Sequence, residues 1–155
     1  MFTIRVRWSL TQQYQFKGIL FESKFNLVDS LMKLKRVEYW ANVYDINNEK
    51  YIDWGITKFT RGYVQFQNEK LICVTLDLID EKNKIPHYKF EEIIKYVSEL
   101  FGNPKFVKTS NENITLYEWS GTKITLDANY INPSGRITLK ICSNNLSSDK
   151  TLDNL

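Results

Sequence analysis

Apolar and polar residues alternate with a period of two along most of this chain, and the places where that period fails mark its helices. Phe2, Ile4, Val6 and Trp8 alternate with Thr3, Arg5, Arg7 and Ser9, and Tyr14 to Leu20 alternates again after a polar connection. This predicts a hairpin at the start of the chain. From Asn26 to Arg36 the spacing changes to a helical stripe of Leu27, Val28, Leu31 and Leu34, with Asn26 as the expected cap, Asp29 in the first turn and Lys33, Lys35 and Arg36 in the last turn. Period two returns at Tyr39 to Ile46, Tyr51 to Phe59, Tyr63 to Phe66 and Leu71 to Ile79, and the breaks at Asn47-Asn48-Glu49, Arg61-Gly62 and Gln67-Asn68-Glu69 supply turn chemistry.

A polar stretch from Asp80 to Pro86 then separates this meander from the clearest helical stripe in the chain, Phe90, Ile93, Ile94, Val97, Leu100 and Phe101. Gly102 falls where a left-handed cap residue is expected, and Pro104 follows. Strands are expected from Phe106, at Ile114 to Trp119, at Thr122 to Tyr130 and at Arg136 to Cys142, divided by Ser110 to Asn113, Ser120-Gly121 and Asn132-Pro133-Ser134-Gly135. The expected class is α+β, with antiparallel sheet of about ten strands covered on one face by two helices. The order of elements admits two pseudo-repeated αββββ halves, 1–79 and 88–142, after the N-terminal hairpin. One domain is expected over 1–142, with 143–155 as a mobile polar tail.

Composition narrows the function classes. At 155 residues with 43% hydrophobic content the chain can bury a core without staples. Its net charge of +3 comes from scattered basic residues, a weak footprint for a dedicated nucleic-acid binder. Arg5, Arg7, Lys33, Lys35 and Arg36 are the residues such a binder would use. Cys73 and Cys142 both lie in apolar alternating runs and are expected to be buried, reduced thiols. Neither a signal-peptide pattern nor an apolar run of membrane length is seen, so a cytosolic location without membrane attachment is expected.

Candidate chemistry is sparse. His87 is the single histidine, in a Pro-His-Tyr turn, and reads as a helix-entry residue in preference to a general base. No nucleophile elbow, phosphate loop or zinc-spaced Cys/His set is present, so no metal and no cofactor are expected. Asp53, Asp77 and Asp127 sit in alternating runs, and paired carboxylates on neighbouring strands would be the basis of a hydrolase or nuclease. If Trp54 and Phe66 point inward, parity turns Tyr51, Asp53, Tyr63 and Gln65 outward together. Tyrosine offers a large amphipathic contact area, which makes those four the expected partner-binding residues. The expected function is binding without enzymatic activity.

A helix ending in Gly102-Asn103-Pro104, a strand bearing Tyr117-Glu118-Trp119 and two further hydrophobic strands form a layout that resembles small bacterial proteins. The tandem helix-plus-four-strand arrangement over Asn26 to Ile141 is similar to that of the beta-lactamase-inhibitor-protein-like fold. That resemblance implies a binding platform, and with no catalytic set assembled and a tyrosine-rich face the expected function is that of a small bacterial inhibitor or immunity-type protein acting on another protein, such as a toxin. It assigns no functional residue.

Overall fold

The centre of the molecule is a strand hidden on both faces. In the computed structural model, which describes residues 15–110 and 113–144, strand β6 (Lys70–Leu78) is buried along nearly its whole length and pairs antiparallel with β5 (Arg61–Gln67) on one side and β10 (Arg136–Ser143) on the other. Outward from this seam the sheet continues through β4 (Val43–Asp45) to β3 (Lys35–Arg36), and through β9 (Ile124–Ile131) and β8 (Ile114–Ser120) to β7 (Lys105–Ser110). The result is an eight-stranded antiparallel sheet in the order β3-β4-β5-β6-β10-β9-β8-β7. A separate two-stranded hairpin, β1 (Gln15–Phe16) and β2 (Ile19–Leu20), precedes it.

Strict alternation sorts the two faces. Val64, Phe66, Val74, Leu76, Leu126, Ala128, Tyr130, Ile137, Leu139 and Ile141 point into one core, beneath helices α1 (Phe25–Met32) and α2 (His87–Phe101). Helix α1 buries Val28 and Met32, and α2 buries Phe90, Ile93 and Val97, the stripe its spacing predicts. Trp119 is buried and its Nε1 donates to the Gly102 carbonyl (2.8 Å), so the tryptophan that packs under α2 also closes the helix end. Gly102 has a positive φ of 92° but extended ψ, so the residue is as expected while the left-handed cap is not. The loop from Ile79 to Pro86 is anchored, because the buried Tyr130 hydroxyl donates to the Ile85 carbonyl (2.6 Å). Gly135, at φ +76°, lies so close that a Cβ there would stand 2.5 Å from the same carbonyl oxygen.

Several sequence expectations require correction. The run from Tyr14 to Leu20 is no single strand: Lys17 and Gly18 both take positive φ and fold Gln15-Phe16 back on Ile19-Leu20, the two-residue turn favoured in hairpins. The expected strand at Phe2 to Trp8, with Arg5 and Arg7, lies outside the described residues, as does the tail beyond Asn144. Helix α1 stops at Met32, because the Asp29 side chain accepts from Leu34 N–H (3.0 Å) and Lys33 turns left-handed. Lys35 and Arg36 consequently lie on a strand, where parity sends them to opposite faces and disperses the expected basic cluster.

The expected strand from Tyr51 to Phe59 is a 3₁₀ turn (Glu49–Tyr51) capped by Asn48, followed by a loop closed by the Asp53–Lys58 bridge. The cysteines are not reduced. Cys73 and Cys142 face each other across the β6–β10 seam, Cα atoms 4.2 Å apart, and are joined by a disulfide. Period-two patterning places each on an outward position without revealing that the two strands are neighbours.

Candidate functional site

With both helices on one side, the opposite side of the sheet carries polar side chains that are buried at its centre, at Thr75 and Asp77, and exposed towards Arg61 and Gln65. Register lines its outward side chains into rows. The longest crosses every strand, Lys35, Asp45, Tyr63, Thr75, Lys140, Asp127, Glu118 and Lys105 in order. Neighbouring residues in such a row are about 4.5–5.5 Å apart at Cβ, so each side chain interacts with those beside it.

One end of this face is aromatic and cationic. The Arg61 guanidinium lies 5.0 Å over the Tyr63 ring while its Nε donates to Asp45 Oδ1 (2.8 Å), and the Trp40 ring stands edge-on to Tyr63 at 6.3 Å. Trp40 is 54% exposed, and the preceding Tyr39 is 93% exposed with a positive φ. Burial pushes the Tyr63 hydroxyl above its ordinary value and the nearby Asp77 carboxylate adds to the effect, so the phenol stays protonated near neutrality. Gln65 follows two residues along β5 and is exposed. Trp, Tyr and Arg together are the residue types that carry most binding energy at protein interfaces.

The middle of the face holds a satisfied buried carboxylate. Asp77 is 1% exposed, and its two oxygens accept from Arg136 Nη2 and Thr138 Oγ1, both at 2.7 Å. Both acceptors are occupied by neighbouring side chains, so Asp77 is held as a structural group on the seam. The far end is acidic. Asp127 and Glu118 are direct cross-strand neighbours, and Ser120 Oγ donates to Glu118 (2.8 Å). Burial pushes the Asp127 carboxyl up, the Glu118 charge and a hydrogen bond to Glu118 push it the same way, and Lys140 opposes them. One Asp127 oxygen is buried without a hydrogen-bond partner. A like charge beside it disfavours the ionised form of the Asp127 carboxyl, as burial does.

The four expected partner-binding residues separate. Tyr63 and Gln65 share the open face. Tyr51 is 3% exposed within the core, because the 3₁₀ turn directs it inward, and neighbouring Ile52 fits over Gly62, where a Cβ would approach to 2.6 Å. Asp53 sits in the loop on the helix side, its Oδ1 accepting from Gly55 N–H. Of the three aspartates considered for hydrolysis, Asp53 is therefore off the sheet, Asp77 is occupied, and Asp127 pairs with Glu118, a partner that parity alone did not single out. His87 opens α2, hydrogen-bonds Glu91 (2.8 Å) and stands edge-on to Tyr130, a helix-entry position far in chemistry from the disulfide-bonded Cys73. Trp40 was missed as well, hidden in an alternating run. The adjacent aromatic pair Tyr39-Trp40, which breaks period two, was its available signal.

Among the described residues no group of three or more His, Cys, Asp or Glu is placed to hold a metal ion, and no helix is long and apolar enough to cross a membrane. Comparison of the chain with protein-family models, with curated proteins and with solved structures finds no match.

Proposed function

We propose that this protein is a binding platform that acts on another protein through the open face of its sheet, in the manner of an inhibitor or immunity-type protein. The observation that carries the reading is the Trp40–Tyr63–Arg61 cluster, its Trp40 and Arg61 exposed and its Tyr63 half-buried, at one end of the sheet face opposite the two helices, with Gln65 beside it. The rings are already packed on one another, so little side-chain freedom is left to lose on binding. The strand order supports reading the chain as two αββββ halves joined at β6 and β10, similar to the beta-lactamase-inhibitor-protein-like layout. The expectation of a cytosolic location rested on the lack of a signal-peptide pattern and of a membrane-length apolar run, whereas the Cys73–Cys142 bond favours an oxidising compartment.

The competing reading as a hydrolase draws on the Glu118–Asp127 pair. It is the weaker one, because Glu118 accepts from Ser120 and Asp127 lies beside Lys140, which ties the pair into the sheet's own row of contacts. The test is quantitative. Once a partner is isolated by cross-linking from the source cell, Tyr63→Ala and Trp40→Ala should each weaken its binding by about 2 kcal/mol, roughly thirtyfold. Both variants should melt cooperatively like the parent. Undiminished affinity in both would place the interface elsewhere.

A further inference from the structure

On the helix side, away from the open face, the hairpin turn, the 53–54 loop and the end of α2 enclose a cleft of about 250 Å³. Its walls are largely aromatic, formed by Phe16, Trp54, Tyr96 and Phe101, and Lys17 and Asp53 also line it. The Trp54 and Tyr96 rings lie 6.0 Å apart at 53°, and Phe59 packs edge-on behind Trp54.

Two donors in these walls are incompletely used. The Lys17 ammonium has three N–H groups, and two are taken by the carbonyls of Lys50 and Asp53, both at 2.6 Å. Both acceptors are neutral, which leaves one N–H for a further partner, while the Asp53 carboxylate offsets part of the ammonium charge. The indole Nε1 of Trp54 is buried with no hydrogen-bond partner. Such a donor is costly to leave unmade. Loss of solvent lowers the Lys17 pKa, Asp53 opposes that shift and Lys50 reinforces it, so an anion beside the ammonium would offset the desolvation.

We infer that this cleft is a binding site for a small aromatic monocarboxylate, its ring held between Trp54, Tyr96 and Phe16 and its carboxylate accepting from Lys17 Nζ. The volume lies just under the roughly 300–1,000 Å³ typical of drug-sized sites, which restricts the ligand to one ring system with a short acidic arm. Aromatic walls favour a planar ring over an aliphatic chain of equal size, because offset and edge-on ring contacts add to the area buried. Lys17 and Asp53 are the charged side chains of the lining, and because Asp53 Oδ1 already accepts from Gly55 N–H, the unused Lys17 donor selects an acidic arm. This site is independent of the proposed partner face, and each reading can fail without the other.

The experiment is a titration of the full chain, followed by ¹H–¹⁵N NMR, with three probes of similar shape: indole-3-acetate, neutral 3-methylindole and cationic tryptamine. Indole-3-acetate should shift the Trp54 indole N–H and the Lys17 and Tyr96 amide signals saturably. The other two should bind about tenfold more weakly or less, the worth of one charge-assisted hydrogen bond. Lys17→Met should bring indole-3-acetate down to the level of 3-methylindole, and Lys17→Arg should keep the preference. Equal binding of all three probes, tighter binding of tryptamine, or shifts confined to residues outside the cleft would overturn the inference. If Lys17→Met does not fold, the ranking of the three probes on the parent protein decides alone.

Discussion

The disulfide at the seam permits the most direct quantitative test of the fold. Cys73 and Cys142 are 69 residues apart in sequence and directly opposed in space, so the bond closes a loop containing α2 and strands β7 to β9. Treating its effect as lost entropy of the unfolded chain, a loop of that length contributes roughly 15 cal/mol/K, or about 4 kcal/mol at 25 °C. For a chain of this size that corresponds to a fall in Tm of roughly 8 to 16 °C when the bond is removed. Urea denaturation of the oxidised protein should be compared with the fully reduced protein and with the Cys73→Ala/Cys142→Ala variant. The reduced protein isolates the cross-link, and the variant adds the cost of deleting the Cys73 sulfur, which is 2% exposed. Reduction should therefore lower stability by several kcal/mol, with the double variant at or below the reduced protein. A difference under about 1 kcal/mol, or two titratable thiols in protein prepared without reductant, would refute the pairing of β6 with β10 in this register.

Three further outcomes are expected. Trp119→Ala should cost about 3 to 5 kcal/mol in thermal or chemical denaturation, since it removes a buried indole and leaves the Gly102 carbonyl without its donor. Gly135→Ala should destabilise the protein well beyond the roughly 1 kcal/mol expected for Gly18→Ala: both glycines have positive φ, but a Cβ at 18 meets open space whereas one at 135 meets Ile85 backbone atoms at 2.5 and 2.6 Å. Because the Asp127 pKa is raised in the folded state, its contribution is fully present at acidic pH below the ordinary carboxylate value and is lost as pH rises through the folded pKa. Asp127→Asn should remove that part of the pH dependence and stabilise the protein near neutrality, and a stability–pH profile unchanged by the substitution would exclude the raised Asp127 pKa.

Much of the secondary structure is written in local patterns. The α2 stripe, the alternation of β5, β6, β9 and β10, and the turns at Asn68-Glu69 and Pro133-Ser134 depend on residues a few positions apart, and these elements lie within a residue or two of their expected bounds. Local patterns failed where a short-range hydrogen bond outweighed periodicity. Asp29 ends α1 early, Asn48 caps a 3₁₀ turn inside an expected strand, and Lys17-Gly18 reverses a run that alternates well enough to be extended.

Parity likewise determined that Tyr63, Gln65, Asp77 and Asp127 leave the core, but it says nothing about which strands lie side by side. That was decided by the antiparallel pairing of β6 with β10, two strands separated by the whole second helix and three other strands. This pairing brings Cys73 to Cys142 and Asp77 to Thr138, and the pairing of β8 with β9 brings Asp127 to Glu118. Trp40 reaches Tyr63, and Lys17 reaches the Lys50 and Asp53 carbonyls, only through loops whose paths are set by packing. Contacts between residues distant in sequence depend on which surfaces bury one another, a property of the assembled core that no local window contains.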